Sequence, residues 1–466
     1  MKKLFLKLLL LSIIVLALLQ LGNTFFKSQE GSVKTWKQFY ENDKEKYDII
    51  ISGNSIAYSS FIPKVMNSKL SVSTFNLSSA AIGIEQVYFN FKETIKHNKP
   101  QLFIVEAHAL DVITVNTPKR LKFNYQNIDG QKFSMNKLES VYSVFDTKST
   151  MVEAMLPVVR NHNKWSDLEF LKKNINYTYR FNPNLGYKKL STKGYRERIK
   201  KTMGKIPESY EITEENETYL KKIVDLCNEQ NIKFLLVRAP QIKYQSNTEL
   251  VNQIYNKTSK LCKNLNISYL DLNKDYEKNK FNESEFYDAL HLNTTGATKA
   301  TDLLSAEIHK TFTLTANENI VRSDPNYFIK NNSYKTFKKL IDTTFIPVED
   351  VLIDQIYVKH LQDDEYSFYI CFNKNSKKDR ISEYKLALQF VPTKANVSKL
   401  SNKKNRKKGR ISFGSLTTPL TETSDQYIRV LEQKKIDIPD FKSFIVYLYK
   451  DKEISKKKVI RNINLK

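Results

Sequence analysis

The chain has 466 residues, with 75 lysine and arginine residues against 50 acidic ones, which gives a formal net charge of +25. This length exceeds that of an ordinary single domain, so at least two globular units are expected. The cations are spread along the whole chain, with a concentrated run only at Lys399–Arg410, and that run has no interleaved aromatic residues, a pattern that disfavours a nucleic-acid-binding protein.

The amino terminus has the pattern of a membrane anchor. Lysines at positions 2, 3 and 7 flank an apolar run that ends at Leu21, close to the roughly 20 residues that span a bilayer. The basic start predicts a cytosolic amino terminus, so residues 1–26 are interpreted as a signal anchor of a single-pass bacterial membrane protein whose bulk is extracellular. A cleaved signal peptide is the alternative, but residues 19–23 make a poor cleavage site. The polar residues 27–46 are interpreted as a stalk.

Residues 47–312 alternate between apolar strand-like runs and helices with apolar residues at helical spacing. This alternation predicts an α/β domain with a parallel sheet covered by helices on both faces. The strands are expected at Asp48–Ile51, Ser71–Phe75, Gln101–Glu106, Lys233–Val237 and Ser268–Leu272, and helices at residues 84–95, 220–227 and 251–261.

Two short motifs in this domain suggest nucleophilic catalysis. Gly53-Asn54-Ser55 follows the first predicted strand, and Asp288-Ala289-Leu290-His291 lies more than two hundred residues later. A serine on a tight turn needs a base to take its proton, and the base needs an acid to fix its tautomer. The sequence therefore predicts Ser55 as nucleophile, His291 as general base and Asp288 as its orienting acid.

Other polar residues follow the second and third predicted strands, at Asn76–Ala81 and at Glu106–His108. Ligands of parallel sheets bind beyond the carboxyl ends of the strands, where the topology reverses. All these segments are therefore expected to converge with Ser55 and His291 at one edge of the sheet.

A long insertion at about 114–210 interrupts the α/β pattern. It contains a predicted helix at residues 151–168 and the run Arg160-Asn161-His162-Asn163-Lys164-Trp165. One interpretation is a wall over the serine, with Arg160 or His162 contacting an anionic or sugar substrate. The other is structural, with Trp165 packing the insertion on the sheet and Arg160 pairing locally.

The periodicity changes after the helix that begins near Gly296. Several runs between about 325 and 466 alternate apolar and polar residues with period two, which predicts an all-β accessory domain with a sandwich architecture. The basic run from Lys399 to Arg410 lacks a helical period and is interpreted as a solvated loop. Anionic membrane lipids or surface polymers are the counter-charges expected for an exported protein with this composition.

With both motifs in view, the chain resembles the SGNH (GDSL-like) hydrolase superfamily over roughly residues 45 to 310. Gly53-Asn54-Ser55 is similar to its first block, and Asp288-Ala289-Leu290-His291-Leu292-Asn293, followed by Gly296, to its last. The resemblance implies a flavodoxin-like, doubly wound parallel sheet. It is closest to membrane-anchored members that acylate or deacylate bacterial surface polysaccharides or teichoic acids, and it implies a membrane-bound O-acyltransferase as a possible partner.

The resemblance also implies an oxyanion hole. In the superfamily its donors are the serine N–H, a glycine N–H after the second strand and an asparagine side chain after the third. Here Ser78 or Ser79 stands at the glycine position, and Glu106 and His108 replace the asparagine turn. The first change preserves a backbone donor. The second removes a donor worth about 3 kcal/mol, so a catalytically impaired binding or assembly protein is the alternative to an enzyme.

The sequence does not predict a cofactor or a metal. The six histidines are scattered without metal-ligand spacing, and eleven glycines leave little room for a phosphate-binding loop. Three cysteines cannot form a disulfide framework. Cofactor-free acyl chemistry is what remains, and the sequence leaves hydrolysis and transfer open.

Overall fold

A computed structural model describes residues 2–41, 46–112, 118–175, 184–204, 209–245, 247–274, 281–316, 337–360, 365–400, 402–415, 420–422, 426–436, 438, 440–450 and 453–465. These residues form two compact units. The first comprises Met1–Pro63, Ser73–Lys188 and Gly194–Leu292, and the second comprises Lys64–Val72, Lys189–Lys193 and Asn293–Lys466.

The first unit is built on a parallel sheet. Its described strands are β1 (Ile49–Ser52), β2 (Thr74–Asn76), β3 (Leu102–Glu106), β4 (Lys233–Arg238) and β5 (Ser268–Asp271), in the spatial order β2-β1-β3-β4-β5. All pairings are parallel. This order reverses between β1 and β3, which is the topological switch point of a doubly wound sheet. The predicted α/β fold is confirmed, and each predicted strand overlaps an observed one.

The helices of this unit fall before, between and after the strands. They are α1 (Lys2–Phe26), α2 (Ser32–Glu41), α3 (Ser55–Ser60), α4 (Pro63–Leu70, most of which belongs to the second unit), α5 (Ile84–His97), α6 (Pro118–Gly130), α7 (Met135–Val144), α8 (Lys148–Met155), α9 (Pro157–Arg160), α10 (Leu168–Ile175), α11 (Tyr195–Thr202), α12 (Glu214–Glu229), α13 (Ile242–Gln245) and α14 (Thr248–Asn264). Short 3₁₀ turns lie at Ala107–Asp111, His162–Lys164 and Glu283–Glu285.

The core of this unit includes a helix that the sequence analysis assigned to a stalk. Helix α2 contributes Trp36, Phe39 and Tyr40 to the same hydrophobic cluster as Ile50 of β1 and Phe103 of β3. Trp36 is fully buried. These aromatic residues recur at helical spacing, so burying one face of α2 removes them from water together.

The insertion helix expected at residues 151–168 is interrupted. Helix α8 ends at Met155 and α9 begins at Pro157, because a residue before proline is disfavoured in the helical region and proline lacks the N–H for the preceding turn. The remainder is a 3₁₀ turn and the start of α10.

The second unit contains helix α15 (Thr294–Thr311) and two antiparallel sheets. Their strands are β6 (Phe337–Ile341), β7 (Phe345–Val348), β8 (Val351–His360), β9 (Glu365–Asn373), β10 (Lys385–Pro392), β11 (Ile411–Ser415), β12 (Leu420–Glu422), β13 (Gln426–Lys435), β14 (Asp440–Lys450), β15 (Glu453–Ile454) and β16 (Lys458–Asn464). One sheet has the order β11-β10-β14-β15 with β16 on β14, and the other has the order β12-β13-β9-β8-β6 with β7 on β8. The inward side chains of the two sheets share one hydrophobic cluster, including Ile356, Phe368, Leu388 and Phe444.

The expected C-terminal antiparallel sheets are confirmed, with short helices added between strands. These are α16 (Lys378–Glu383), α17 (Lys394–Val397) and α18 (Lys403–Lys408). Helix α18 lies inside the basic run that the sequence analysis interpreted as a loop. Its residues Arg406, Lys407 and Lys408 are exposed, since consecutive cations gain nothing from burial.

Helix α1 is long and apolar enough to cross a membrane. The span Lys3–Phe26 lies near the amino terminus and is not buried within the structure. By length and composition it fits either a membrane anchor or a signal sequence.

Candidate active site

The turn after β1 holds Ser55 at the carboxyl edge of the sheet. Gly53 adopts a φ of +154°, and a Cβ at this position would lie 2.8 Å from Cβ of Glu106 on the neighbouring strand. Only glycine fits this close approach. Asn54 then caps α3, its Oδ1 accepting a hydrogen bond of 2.9 Å from the N–H of Ile56. Ser55 becomes the first residue of α3, in the turn where the helix itself supplies no acceptor for N–H groups.

His291 and Asp288 meet Ser55 across this edge. Nε2 of His291 lies 2.9 Å from Oγ of Ser55, and Nδ1 lies 3.0 Å from both carboxylate oxygens of Asp288. An ionised carboxylate only accepts hydrogen bonds, so Nδ1 carries the proton and Nε2 is free to accept the serine hydroxyl. The structure therefore brings the three sequence-predicted residues into one hydrogen-bonded chain.

The loop that carries the imidazole is closed on itself. The N–H of Tyr287 donates to the carbonyl of His291 at 2.8 Å, and Phe286 pairs with Leu292 as an antiparallel bridge. Oδ1 of Asp288 also accepts the N–H of His291 at 2.9 Å. The three-residue spacing thus lets one carboxylate hold both the turn and the imidazole.

Helix α11 of the insertion fixes this loop from outside. Arg198 donates through Nε to the carbonyl of Tyr287 at 2.8 Å, and its guanidinium lies 4.0 Å from the centre of the Tyr287 ring. Thr202 accepts the N–H of Ala289 through Oγ1 at 2.9 Å. The insertion therefore supports the site by orienting the Asp288–His291 loop.

Electrostatics favour an ionised Asp288. Burial opposes the charge, but hydrogen bonds from the His291 side chain and from the backbone N–H groups of Leu290 and His291 hold the pKa of Asp288 below its ordinary value. An ionised Asp288 stabilises the imidazolium that forms when His291 takes a proton.

Tyr58 is a neighbour of the serine that the sequence analysis did not identify. Burial raises the pKa of Tyr58 above its ordinary value, although the interaction of the phenol with the Ser55 side chain opposes the shift. The phenol therefore remains a protonated donor over the physiological range. Its carbonyl accepts the N–H of Lys188 at 2.8 Å, and Nζ of Lys188 lies 5.3 Å from the ring centre. Tyr58 could have been found from its position three residues after Ser55, because residues at this spacing are neighbours on a helix.

Ser78 and Ser79 lie after β2, as predicted, but both N–H groups already have acceptors. The N–H of Ser79 donates to the carbonyl of Gly53 at 3.0 Å, and the N–H of Ser78 donates to Oδ1 of Asn76 at 3.2 Å. The hydroxyl of Ser79 donates to Oδ1 of Asn127 at 2.9 Å. Each N–H group therefore already has an acceptor within the chain, and the oxyanion role of Ser78 or Ser79 stays a prediction.

Glu106 and His108 form a buried pair after β3. Nδ1 of His108 lies 2.6 Å from Oε1 of Glu106, and the carboxylate also accepts the N–H groups of His108 at 3.2 Å and Ala239 at 3.1 Å. Within the described part of the chain, Nε2 of His108 is buried and has no hydrogen-bond partner. The ring stacks parallel to that of Tyr244, with 6.1 Å between centres. This buried pair reaches the Ser55 turn through Glu106, whose Cβ lies against Gly53.

An ion pair between the buried Arg238 and the partly exposed Asp111 lies between the ends of β3 and β4. Arg238 donates to Oδ2 and Oδ1 of Asp111 at 2.7 and 3.0 Å and to the hydroxyl of Tyr210 at 2.9 Å. Although burial disfavours its charge, the pairing with Arg238 holds the pKa of Asp111 below its ordinary value. Tyr210, at the end of the insertion, is joined to the sheet through this pair.

Arg160 and His162 are not brought to Ser55. Arg160 donates to the carbonyl of Glu153 at 3.2 Å and pairs with the buried carboxylate of Asp129. His162 is exposed, and its Nδ1 lies 3.0 Å from the carbonyl oxygen of Val159. Arg160 is therefore paired locally, as the structural interpretation expected, and a contact of Arg160 or His162 with substrate stays a prediction. Trp165 differs from expectation, being 57% exposed rather than packed on the sheet.

Among the described residues, no group of three or more histidine, cysteine, aspartate or glutamate side chains is placed to hold a metal ion. Cys227, Cys262 and Cys371 are buried free thiols.

Comparison with known proteins gives distant similarities. A protein-family model matches residues 159–313, less than half of the chain, a stretch that includes Asp288 and His291. No curated protein matches the sequence. Solved structures similar to the chain include an acetyl xylan esterase (12% identity, 57% of this chain and 100% of that one, TM-score 0.28). Others are an acylhydrolase from Bacteroides fragilis, itself assigned only provisionally (12% identity, 59% and 96%, TM-score 0.29), and a two-domain esterase active on acetylated mannans (10% identity, 93% and 96%, TM-score 0.25). Because all three TM-scores are low, the function has to be inferred from the geometry of the site.

Proposed function

We propose that the chain is a serine O-acyl esterase or O-acyltransferase that forms an acyl-enzyme on Ser55. The observation that carries the proposal is the continuous chain of hydrogen bonds from Ser55 through His291 to Asp288. Serine and histidine within hydrogen-bond reach, with a carboxylate orienting the histidine, constitute the arrangement that activates a hydroxyl for acyl transfer.

The first half-reaction uses the tautomer of His291 in which Nδ1 carries the proton and Nε2 is free to accept one. Oγ of Ser55 attacks the carbonyl carbon of an ester as its proton moves to Nε2 of His291. The tetrahedral intermediate then collapses, the bond to the leaving alcohol breaks, and His291 returns the proton to that alcohol oxygen. Asp288 stays ionised throughout and stabilises the transient imidazolium.

The second half-reaction runs the same steps with a new nucleophile. Water or a sugar hydroxyl gives its proton to His291 and attacks the acyl-serine, and the proton then passes to Oγ of Ser55 as the acyl–serine bond breaks. Water as nucleophile makes the chain an esterase, whereas a polymer hydroxyl makes it a transferase.

Oxyanion stabilisation falls to donors near Ser55 in this proposal. The N–H of Ser55 is one, because it lies in the first turn of α3. The phenol of Tyr58 is proposed as the other, because it interacts with the Ser55 side chain and the oxyanion forms on the carbon that is bonded to Oγ. Tyr58 thus takes the place of the asparagine donor that is absent after β3.

A membrane-anchored, extracytoplasmic location and a surface polysaccharide or teichoic acid substrate belong to the same proposal. Helix α1 supports the anchor, and the net charge of +25 suits an anionic surface. The proposal that a membrane-bound O-acyltransferase supplies the acyl group rests on the family resemblance alone.

The runner-up is a surface-polymer-binding protein without catalysis. It is favoured by one observation, the occupation of the third-strand turn by the buried pair of Glu106 and His108. An enzyme without adequate oxyanion donors would lose orders of magnitude in rate.

Purified full-length protein tests the proposal with O-acetylated cell-surface polymer as substrate. Release of acetate, or its transfer to added deacetylated glycan, is expected for wild type and not for Ser55→Ala. Ser59→Ala is a matched control on the same helix, because among the described residues Ser59 Oγ donates to no group other than the backbone carbonyls of Ser55 and Ile56. Polymer binding by wild type without release or transfer would instead favour the runner-up.

A further inference from the structure

The carboxyl end of helix α1 is tied to the insertion by side-chain caps. The last carbonyls of a helix lack partners within it. Here Asn161 donates to the carbonyl of Phe26 at 2.8 Å, and Asn174 donates to the carbonyl of Phe25 at 2.6 Å. Oδ1 of Asn23 accepts the N–H of Val158 at 3.2 Å.

Packing reinforces these hydrogen bonds. The ring of Phe26 stacks on that of Phe170 with 6.0 Å between centres. Gly22 lies against Val158, so close that a Cβ there would be 3.1 Å from a methyl carbon of the valine. Helices α9 and α10 are therefore fixed at the level where the apolar helix ends.

Large apolar side chains protrude from the insertion at this level. The exposed fractions are 39% for Val159, 57% for Trp165 and 68% for Leu168. We call these three residues the α9–α10 patch. They lie within ten residues of one another, in the same segment as Val158 and Asn161, which bind the end of α1. A cluster of this kind on a soluble surface marks a contact site.

We propose that the α9–α10 patch lies in the membrane–water interface on the extracellular side of the bilayer. There it holds the catalytic unit in a fixed orientation against the lipid surface. The proposal rests on α1 being a retained anchor. If α1 crosses the bilayer, its carboxyl end reaches the interface, and whatever is bonded to that end must lie there too. Tryptophan is enriched at this depth of the membrane.

The patch is apolar rather than basic. The indole N–H of Trp165 donates to the carbonyl of Val158 at 2.9 Å, which leaves the ring as a largely apolar surface. The neighbouring Lys164 pairs with Asp167 at 3.3 Å, so its charge is partly compensated. Zwitterionic phosphatidylcholine is therefore a sufficient partner, and insertion of the patch should depend little on salt.

Fluorescence of the full-length chain in phosphatidylcholine liposomes tests this orientation. The chain has two tryptophans, and Trp36 is fully buried. The difference between wild type and Trp165→Phe therefore isolates Trp165. We expect blue-shifted Trp165 emission that is quenched by lipids brominated near the headgroup and shielded from acrylamide. The control is a tryptophan introduced by Ile346→Trp in the Trp165→Phe background. Ile346 is an exposed residue on β7 of the other unit, and this tryptophan should remain open to acrylamide.

A second variant makes the test independent of tryptophan. In Leu168→Cys, an environment-sensitive thiol label should report an apolar surrounding, and the native Cys227, Cys262 and Cys371 are buried. Flotation of the liposomes measures the anchor separately. Protein that does not float overturns the anchor and the patch together. Protein that floats with acrylamide-accessible Trp165 and a water-exposed label overturns the patch alone. Shielding without lipid quenching also overturns it, because protein then covers the patch.

Discussion

The change Asp288→Asn tests the role of the carboxylate most sharply. Oδ1 of Asp288 accepts the N–H groups of Leu290 and His291, both at 2.9 Å, so an asparagine keeps its carbonyl oxygen on that side. Its amide group then faces Nδ1 of His291 and donates to it. The imidazole proton moves to Nε2, which faces Ser55 at 2.9 Å, and the serine hydroxyl loses its acceptor.

The size of the expected rate loss follows because the variant loses its general base but keeps its fold. A wrong tautomer in such a triad costs about 10⁴-fold in rate, or about 5 kcal/mol of transition-state stabilisation. We expect the rate of Ser55 phosphonylation by a fluorophosphonate, and the kcat for a short acyl ester, to fall by about 10³- to 10⁴-fold. Because the turn keeps its hydrogen bonds, the melting temperature should change little.

Asp271→Asn is the matched control. Asp271 is 7% exposed, similar to Asp288 at 8%, and accepts the Tyr269 hydroxyl at 2.7 Å, so its substitution perturbs the unit without touching His291. An Asp288→Asn protein that reacts within tenfold of wild type would refute the assignment of Asp288. Equal losses for both variants would attribute the effect to folding.

Three further changes test other parts of the account. Tyr58→Phe should lower kcat by about 10²-fold with KM unchanged, and steady-state kinetics with an unaltered kcat would remove Tyr58 from the oxyanion site. Trp36→Ala should destabilise the α/β unit by about 3–5 kcal/mol, seen as a lower denaturant midpoint, because Trp36 is fully buried; an unchanged midpoint would restore the stalk interpretation. Arg160→Ala should lower the melting temperature, because it leaves the carboxylate of Asp129 buried and unpaired, yet it should leave kcat and KM for a short ester unchanged. A raised KM would return Arg160 to the substrate site.

The strands of the parallel sheet could be predicted from the sequence because all of β1, β2 and β3 is buried. Strands buried on both faces read as continuous apolar runs. The meeting of Ser55 with His291 could also be anticipated, since the carboxyl ends of parallel strands share one edge. The catalytic role of these residues stays a prediction.

The hydrogen-bond and ion-pair partners of individual residues could not be predicted from the sequence. The sequence offered Arg160 many carboxylates, and only the fold selects Asp129 by burying it next to the guanidinium. The free N–H groups expected at Ser78 and Ser79 depended on backbone geometry, which places Gly53 and Asn76 as acceptors. The helix containing Trp36 had a visible apolar face, but its polar flanks favoured a stalk.

The central claim is that Ser55 carries the acyl group during turnover. Mass spectrometry of protein quenched in acid after mixing with an activated acetyl ester measures this directly. The account predicts one added acetyl group on the peptide that contains Ser55, accumulating when the second nucleophile is withheld and absent in Ser55→Ala and His291→Ala. Turnover of the ester without an adduct on that peptide, or an equal adduct in Ser55→Ala, would contradict it.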